Sequence, residues 1–357
     1  MPASARALIA RLGLWTGLIA RRMTALIAAV TSVLIVGLLA GLVACAGTDD
    51  PLRGRFMAFG TEIEVRLRSS DRGEGHAALR DLGVLFQRLH VDWHPWQEGA
   101  LNDLNQALAR GDEAQPGPEL IAMIRRAQDF ERRSQGQFNA AIGGLVRLWG
   151  FHTSNYPIEA PPPATELIDR WLKHSPSAMD IEVRGPTVVS RNAWAQLDFS
   201  GMAKGVAARM ACDLLVNRGL GDALVNLGGD VMICAQGRRP WSIAISDGRD
   251  GIAEVVQLEG PLAVFSSGTA QRWGEWAGKR YAHLLDPGTG RALGHSIQAT
   301  VIDRDPLLAD AAATALAVAG PERWQSTAQT LGVDEAIIFG ASGLIGRLDR
   351  SQGRTQP

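Results

Sequence analysis

Ala223-Leu224-Val225-Asn226-Leu227-Gly228-Gly229-Asp230-Val231-Met232-Ile233-Cys234-Ala235 reads as two apolar strands around a glycine pair, a turn in which glycine supplies the positive φ of a tight hairpin. Further strand-like stretches follow at 241–246, 253–258 and 262–265, then at 281–285, 297–302 and 335–339, with earlier ones at 179–184 and 186–190. Helical patterns interrupt them near 202–218, 308–319 and 321–331. Strand mostly follows strand with no helix between, which joins neighbours antiparallel, whereas a doubly wound fold alternates strand and helix. The class is therefore α+β, a largely antiparallel mixed sheet with packed helices.

Towards the amino terminus, Ile63, Val65 and Leu67 alternate as in a half-buried strand. Ala77, Leu79, Leu82, Leu85, Phe86 and Leu89 then fall at helical spacing over 76–90. A second helix is predicted from Pro118, suited to a first turn, to Ser134, with Gly136 as its stop. Pro157 to Pro163 form a proline-rich loop.

The 357 residues are 46% hydrophobic and 20% charged, the make-up of a folded protein and not of a disordered one. With 36 basic and 37 acidic residues and no local basic patch, nothing holds a polyanion, so nucleic acid is not an expected partner. Cys45, Cys212 and Cys234 have neither zinc spacing nor the number for a disulfide framework; Cys212 and Cys234 read as small buried hydrophobes. The chain has only three lysines, Lys173, Lys204 and Lys279.

Arg6, Arg11, Arg21 and Arg22 precede 22 uncharged residues, Met23 to Ala44, the pattern of an export segment. It ends in Leu42-Val43-Ala44-Cys45, which resembles a bacterial lipobox with Cys45 as the lipidated residue; the alternative is an uncleaved anchor, since 22 residues can span a bilayer. Either places the following domain on the periplasmic side of a bacterial membrane. The expected organisation is a signal peptide over 1–44, a lipidated tether over 45–54, one domain over 55–348 and a flexible tail over 349–357. Residues 1–44 hold four arginines and no acid, so the exported part has net charge −5 against −1 for the whole chain.

No GxGxxG follows a strand, and GxxxxGK[ST], HExxH and GxSxG are absent from the sequence. Four clusters do carry candidate chemistry. Gly136-Gln137-Phe138-Asn139-Ala140-Ala141-Ile142-Gly143-Gly144 leads into Leu148-Trp149-Gly150-Phe151 and reads by itself as a turn feeding a buried helix. Leu197-Asp198-Phe199-Ser200-Gly201-Met202-Ala203-Lys204-Gly205 puts a lysine in a helix's first turn, against the dipole; this suits an anion at the exposed amides or, equally, a Ser200 cap with an exposed lysine. Asn226-Leu227-Gly228-Gly229-Asp230 is the hairpin already quoted. Phe265-Ser266-Ser267-Gly268 and Tyr281-Ala282-His283-Leu284-Leu285-Asp286-Pro287-Gly288-Thr289-Gly290 place a histidine on a strand ending beside a turn. Downstream, Asp310 and Thr314 stand at i and i+4 on one helix face, two hard oxygens suited to magnesium beside phosphates, or a plain helix-start charge.

In order, Met57-x-x-Gly60-Thr61, Gly-x-Phe-Asn-x-x-Ile-Gly, Leu-Asp-x-x-Gly-x-Ala-Lys-Gly, Asn-Leu-Gly-Gly-Asp, Ser-Ser-Gly, Tyr-x-His-x-x-Asp-Pro-x-Thr-Gly and Ala-Asp-x-x-x-Thr-Ala resemble the ApbE family of FAD:protein FMN transferases over residues 55–340. The resemblance implies an enzyme that uses FAD and Mg²⁺ to esterify FMN onto a threonine or serine of an acceptor redox protein, releasing AMP. It implies that Asp310, Thr314 and the Ala203 carbonyl hold Mg²⁺, and that Met57, Asn139, Lys204, Gly228, Gly229, Asp230, Ser267, Gly268 and Thr289 line the FAD site. His283 is the implied general base, with Asp286 as its orienter or as an alternative base. Asn139 stands where many members have aspartate, and Thr269 where Thr-Ser-Gly-Asp is frequent. The alternatives are a Mg²⁺-dependent FAD hydrolase giving FMN and AMP, and a non-catalytic FAD-binding lipoprotein. His90-Val91-Asp92-Trp93-His94-Pro95-Trp96 reads as an aromatic lid or surface loop rather than a metal pair, because ligating histidines need fixed partners.

Overall fold

The computed structural model describes residues 50–249 and 251–350 and, as backbone, 354–356; the expected export segment and Cys45 lie outside the described residues. Strands β1 (Leu52–Ala58) and β2 (Thr61–Leu67) open the described chain, followed by helices α1 (Arg72–Asp92), α2 (Ala100–Arg110), α3 (Pro118–Arg133), α4 (Gly143–Leu148) and α5 (Thr165–His174). A small hairpin, β3 (Ile181–Arg184) with β4 (Thr187–Ser190), precedes α6 (Ala203–Asn217). Then come β5 (Ala223–Leu227), β6 (Asp230–Ile233), β7 (Trp241–Ser246), β8 (Ile252–Leu258) and β9 (Leu262–Gly268). β10 (Trp273–Trp276), β11 (Lys279–Ala282), β12 (Leu285–Asp286), β13 (Arg291–Ala292) and β14 (Ile297–Asp303) lead to α7 (Pro306–Leu331), β15 (Glu335–Gly340), β16 (Gly343–Asp349) and β17 (Arg354–Gln356).

Nine strands form one antiparallel sheet in the order β1-β2-β5-β6-β9-β14-β15-β16-β17. The quoted hairpin sits inside it, Leu227 opposite Asp230, so the glycine pair caps two interior strands. Helix α7 packs on β9, β14 and α6, and its alanines 309, 311, 312, 313, 315 and 317 are fully buried. Small side chains let the backbones approach closely. A Cβ on Gly205 would lie 2.8 Å from the carbonyl carbon of Pro306, so the starts of α6 and α7 meet almost backbone to backbone. That contact carries Lys204 up to Asp310.

Several expectations shift in the structure. The tract around 308–331 is one helical span broken at Gly320 (φ 72°) before Pro321, close to the two predicted helices. The first three residues of β1, Leu52 to Gly54, lie inside the stretch read as tether, paired with Leu67 to Val65. Met179 falls in a short 3-10 turn before β3. The strand predicted to end at Phe265 continues to Gly268, because Ser266 to Gly268 pair with Thr300 to Gln298. Helices α2 and α5 were not anticipated.

Cys212 and Cys234 are not merely small buried hydrophobes: they form a disulfide, 22 residues apart. Spacing did not disclose it because contact depends on α6 crossing behind the β5-β6 hairpin. The bond ties α6, the helix that begins at Ala203, to the end of β6, the strand that begins at Asp230. Closing a loop of this length stabilises a fold by about 3 kcal/mol. The Cys212→Ser/Cys234→Ser variant should therefore unfold at lower urea, with about that loss in unfolding free energy. An unchanged midpoint would show that the bond adds nothing.

Candidate active site

Three elements converge at the start of α6. Lys204 is its second residue, and no side chain caps the helix: Met202 holds the cap position, while Ser200 donates its N–H to Asp198 Oδ1 at 2.9 Å. The Lys204 ammonium is not exposed and free, but donates to Asp230 Oδ2. Asp230 also accepts the Ser266 N–H through Oδ1 at 2.8 Å, so one carboxylate ties β6, β9 and α6 together. From α7, Asp310 accepts the Gly205 N–H at 2.8 Å and is only 4% exposed.

The electrostatics follow from burial. Desolvation opposes the Lys204 charge, but Asp230 and Asp310 outweigh it and hold the lysine above its ordinary value. Burial pushes the Asp310 carboxyl up to about 7, with Asp230 adding to the rise and Lys204 opposing it. A buried carboxyl in this state takes a proton or a cation. Thr314, one turn further along α7, bonds Ser267 hydroxyl to hydroxyl at 3.1 Å, so carboxylate and hydroxyl oxygens gather on one side. Among the described residues no three His, Cys, Asp or Glu side chains group as a metal site. This all-oxygen set nonetheless fits Mg²⁺, which takes few protein ligands and completes its shell with water and phosphate.

Gly228 (φ 67°) and Gly229 (φ 104°) form the turn, and a Cβ on Gly228 would collide with the Thr61 side chain. Asn226 Oδ1 accepts the Gly229 N–H at 2.7 Å and fixes the turn. Gly268 is equally closed to a side chain, by Gln298.

His283 is not on a strand; it lies in the gap between β11 and β12. Its Nδ1 faces the Arg272 carbonyl at 3.0 Å, and its own N–H reaches the same oxygen at 3.2 Å. The carbonyl can only accept, so it selects the Nδ1–H tautomer and leaves Nε2 as a free base. Burial, then the Arg272 charge, depress the His283 pKa to about 4. The expected orienter, Asp286, is instead turned onto its own loop, accepting Gly288 N–H at 2.8 Å and the Thr289 hydroxyl at 3.0 Å. Both residues thus shape the turn. Trp149 Nε1 donates to the Gly290 carbonyl at 2.9 Å and Phe151 stands 6.3 Å from the His283 ring, so the Leu-Trp-Gly-Phe motif is the wall behind the histidine.

Other predicted residues lie differently. Asn139 donates to Pro176 O at 2.9 Å and accepts Ala141 N–H at 2.7 Å; both ends of its amide are used, and the donor is one an aspartate lacks. Met57 is 69% exposed on β1. Ala203 opens α6, its N–H bonded to Phe199 O at 2.7 Å. The His90–Trp96 segment uses ring nitrogens as acceptors: His90 Nδ1 takes Phe59 N–H at 3.2 Å and His94 Nδ1 takes Gln97 N–H at 3.2 Å. Trp96 stacks on His152, 4.6 Å between centroids, and His152 approaches Asp198 at 3.4 Å. The reading of the sequence missed Arg272; a lone arginine in a polar stretch carries no periodic signal. Two cavities of about 440 and 580 Å³, beside Pro118 and beside Arg68, share no residue with this site.

The sequence model of the ApbE family matches residues 59–338. The chain is 35% identical over 310 residues to the FAD:protein FMN transferase of Rhodobacter capsulatus, covering 84% of this chain but only 58% of that protein. To the FAD:protein FMN transferase of Treponema pallidum it is 31% identical over 301 residues, covering 79% and 83%. The crystal structure of the ApbE protein from Thermotoga maritima is similar with a TM-score of 0.74 at 26% identity, over 82% of this chain and 95% of that one.

Proposed function

Since the chain belongs to the ApbE family, we propose that it transfers FMN from FAD to a threonine or serine hydroxyl of an acceptor redox protein. The acceptor oxygen forms a bond to the FMN phosphorus, the bond from that phosphorus to the AMP oxygen breaks, and the hydroxyl proton leaves to a base. The observation that carries this reading is the convergence of Asp310, Asp230 and Lys204 at the start of α6, with the neutral His283 electrostatically coupled to Lys204.

His283 accepts the hydroxyl proton at Nε2, the nitrogen left free when the Arg272 carbonyl takes Nδ1–H. Lys204, fixed by Asp230, faces the diphosphate charge at the start of α6, where the positive end of the helix dipole adds to it. Asp310, Thr314 and the Ala203 carbonyl would hold Mg²⁺, which supplies charge neutralisation of the diphosphate when bound. Gly229, with open space at the place of its Cβ, leaves room for the flavin nucleotide to approach main chain, while Gly228 makes room for Thr61 beneath the turn. A lipid anchor at Cys45 on the periplasmic side is part of the reading, and the Cys212–Cys234 bond supports it, since structural disulfides persist in oxidising compartments.

The test combines the purified chain in detergent with FAD, Mg²⁺ and a flavin-acceptor domain carrying a threonine, and follows AMP together with the acceptor's intact mass. The expected result is one AMP for each acceptor that gains an FMN ester. AMP without a mass gain would make the chain an FAD hydrolase. Neither product would defeat the enzymatic reading.

A further inference from the structure

The lysine at the start of α6 is already committed: Lys204 donates to Asp230, and the Asp310 carboxyl lies close enough to act on its charge. The positive charge it offers a diphosphate is largely neutralised within the protein. Arg272 is different. Among the described residues its guanidinium forms no ion pair with a carboxylate, whereas other arginines of the fold do, as Arg66 does with Glu64 and Arg68 with Asp222. Its carbonyl is the group that orients His283. From there the side chain reaches over Tyr156, 5.6 Å from the ring centroid, to the β1-β2 turn, where one nitrogen stands 3.2 Å from the place a Cβ would take on Gly60. That turn leads directly into Thr61, which touches Gly228. The charge of Arg272 is also felt at both Lys204 and His283, lowering the proton affinity of each.

A half-buried arginine without an acid, beside a neutral base and an internally paired lysine, is a site for an anion. A guanidinium offers two parallel N–H groups to the two oxygens of a phosphoryl group, which an ammonium does not. We propose that Arg272 is a further catalytic residue, its guanidinium contacting the non-bridging oxygens of the phosphoryl group that passes from FAD to the acceptor. This rests on the transferase reading above. One residue then links the two halves of the reaction: its carbonyl sets the base and its side chain meets the charge that moves. Phosphoryl transfer depends on such placement and neutralisation more than on covalent help from the protein.

The experiment compares the full chain with Arg272→Ala and Arg272→Lys, measuring kcat for FMN transfer, FAD Kd by flavin fluorescence, and rescue of Arg272→Ala by added guanidinium ion. The expected result is a fall in kcat of about 100-fold in Arg272→Ala with FAD Kd within about threefold. Arg272→Lys should be intermediate, and guanidinium ion should restore part of the lost rate. A kcat within about threefold of wild type, or a loss found only in FAD Kd, overturns the proposal. So does an Arg272→Ala rate that guanidinium ion leaves unchanged while Arg272→Lys matches wild type. If the wild-type chain itself transfers no FMN, the functional reading fails, and this inference fails with it.

Discussion

Asp310→Ala should abolish AMP release and FMN transfer, by about 1,000-fold or more, while FAD still binds. Removing the carboxylate takes away the charged oxygen that faces the cation and diphosphate, and a loss of that size corresponds to about 4 kcal/mol of transition-state stabilisation. The alanine also deprives the Gly205 N–H of its acceptor, so a structural explanation has to be separated. Asp310→Asn does this. Its amide oxygen still accepts from Gly205, so the variant should melt as wild type does and remain as inactive as the alanine. AMP release near the wild-type rate in Asp310→Asn would rule out the ionised carboxylate as a cation ligand.

His283→Ala should lower transfer by about 100- to 10,000-fold, the usual range for a general base, and leave FAD affinity nearly unchanged. Wild-type transfer in this variant would refute the base assignment. A pH measurement gives a second test. Burial and the Arg272 charge hold the ring at about 4, so its NMR titration in the ligand-free chain should have a midpoint there and not near the ordinary 6.5. The unfolded chain takes up the proton from about 6.5 downwards and the folded chain only near 4. Between those values the unfolded state binds more protons, so stability rises with pH across that window. His283→Ala should lack this part of the slope.

Much of the fold was legible because its signals are local. The hairpin around Gly228 and Gly229 follows from strand, glycine pair and strand, and the structure places Leu227 opposite Asp230. The helix beginning near Lys204 and the pair Asp310 and Thr314 at i, i+4 were also readable, since both depend on neighbours a few residues away. Helix α2 was harder. It follows a proline and tryptophan loop without a side-chain cap, and its stripe of Leu101, Leu104 and Leu108 is short.

The candidate site was legible as a set of motifs but not as a geometry. That Lys204 spends its charge on Asp230 depends on α6 lying beside the β5-β6 turn. That His283 takes its orientation from Arg272, not Asp286, depends on the β10-β11 hairpin folding back to bring residues eleven apart into contact. The disulfide between Cys212 and Cys234 likewise needs a helix and a strand end to meet. By itself the sequence determined which residue types are present and the local conformations they favour, because helix, turn and strand preferences act over a few residues. Only the tertiary structure decided which charge pairs with which, and so which cation remains for a phosphate, because electrostatic partnership and desolvation are set by distance in space and by what excludes water.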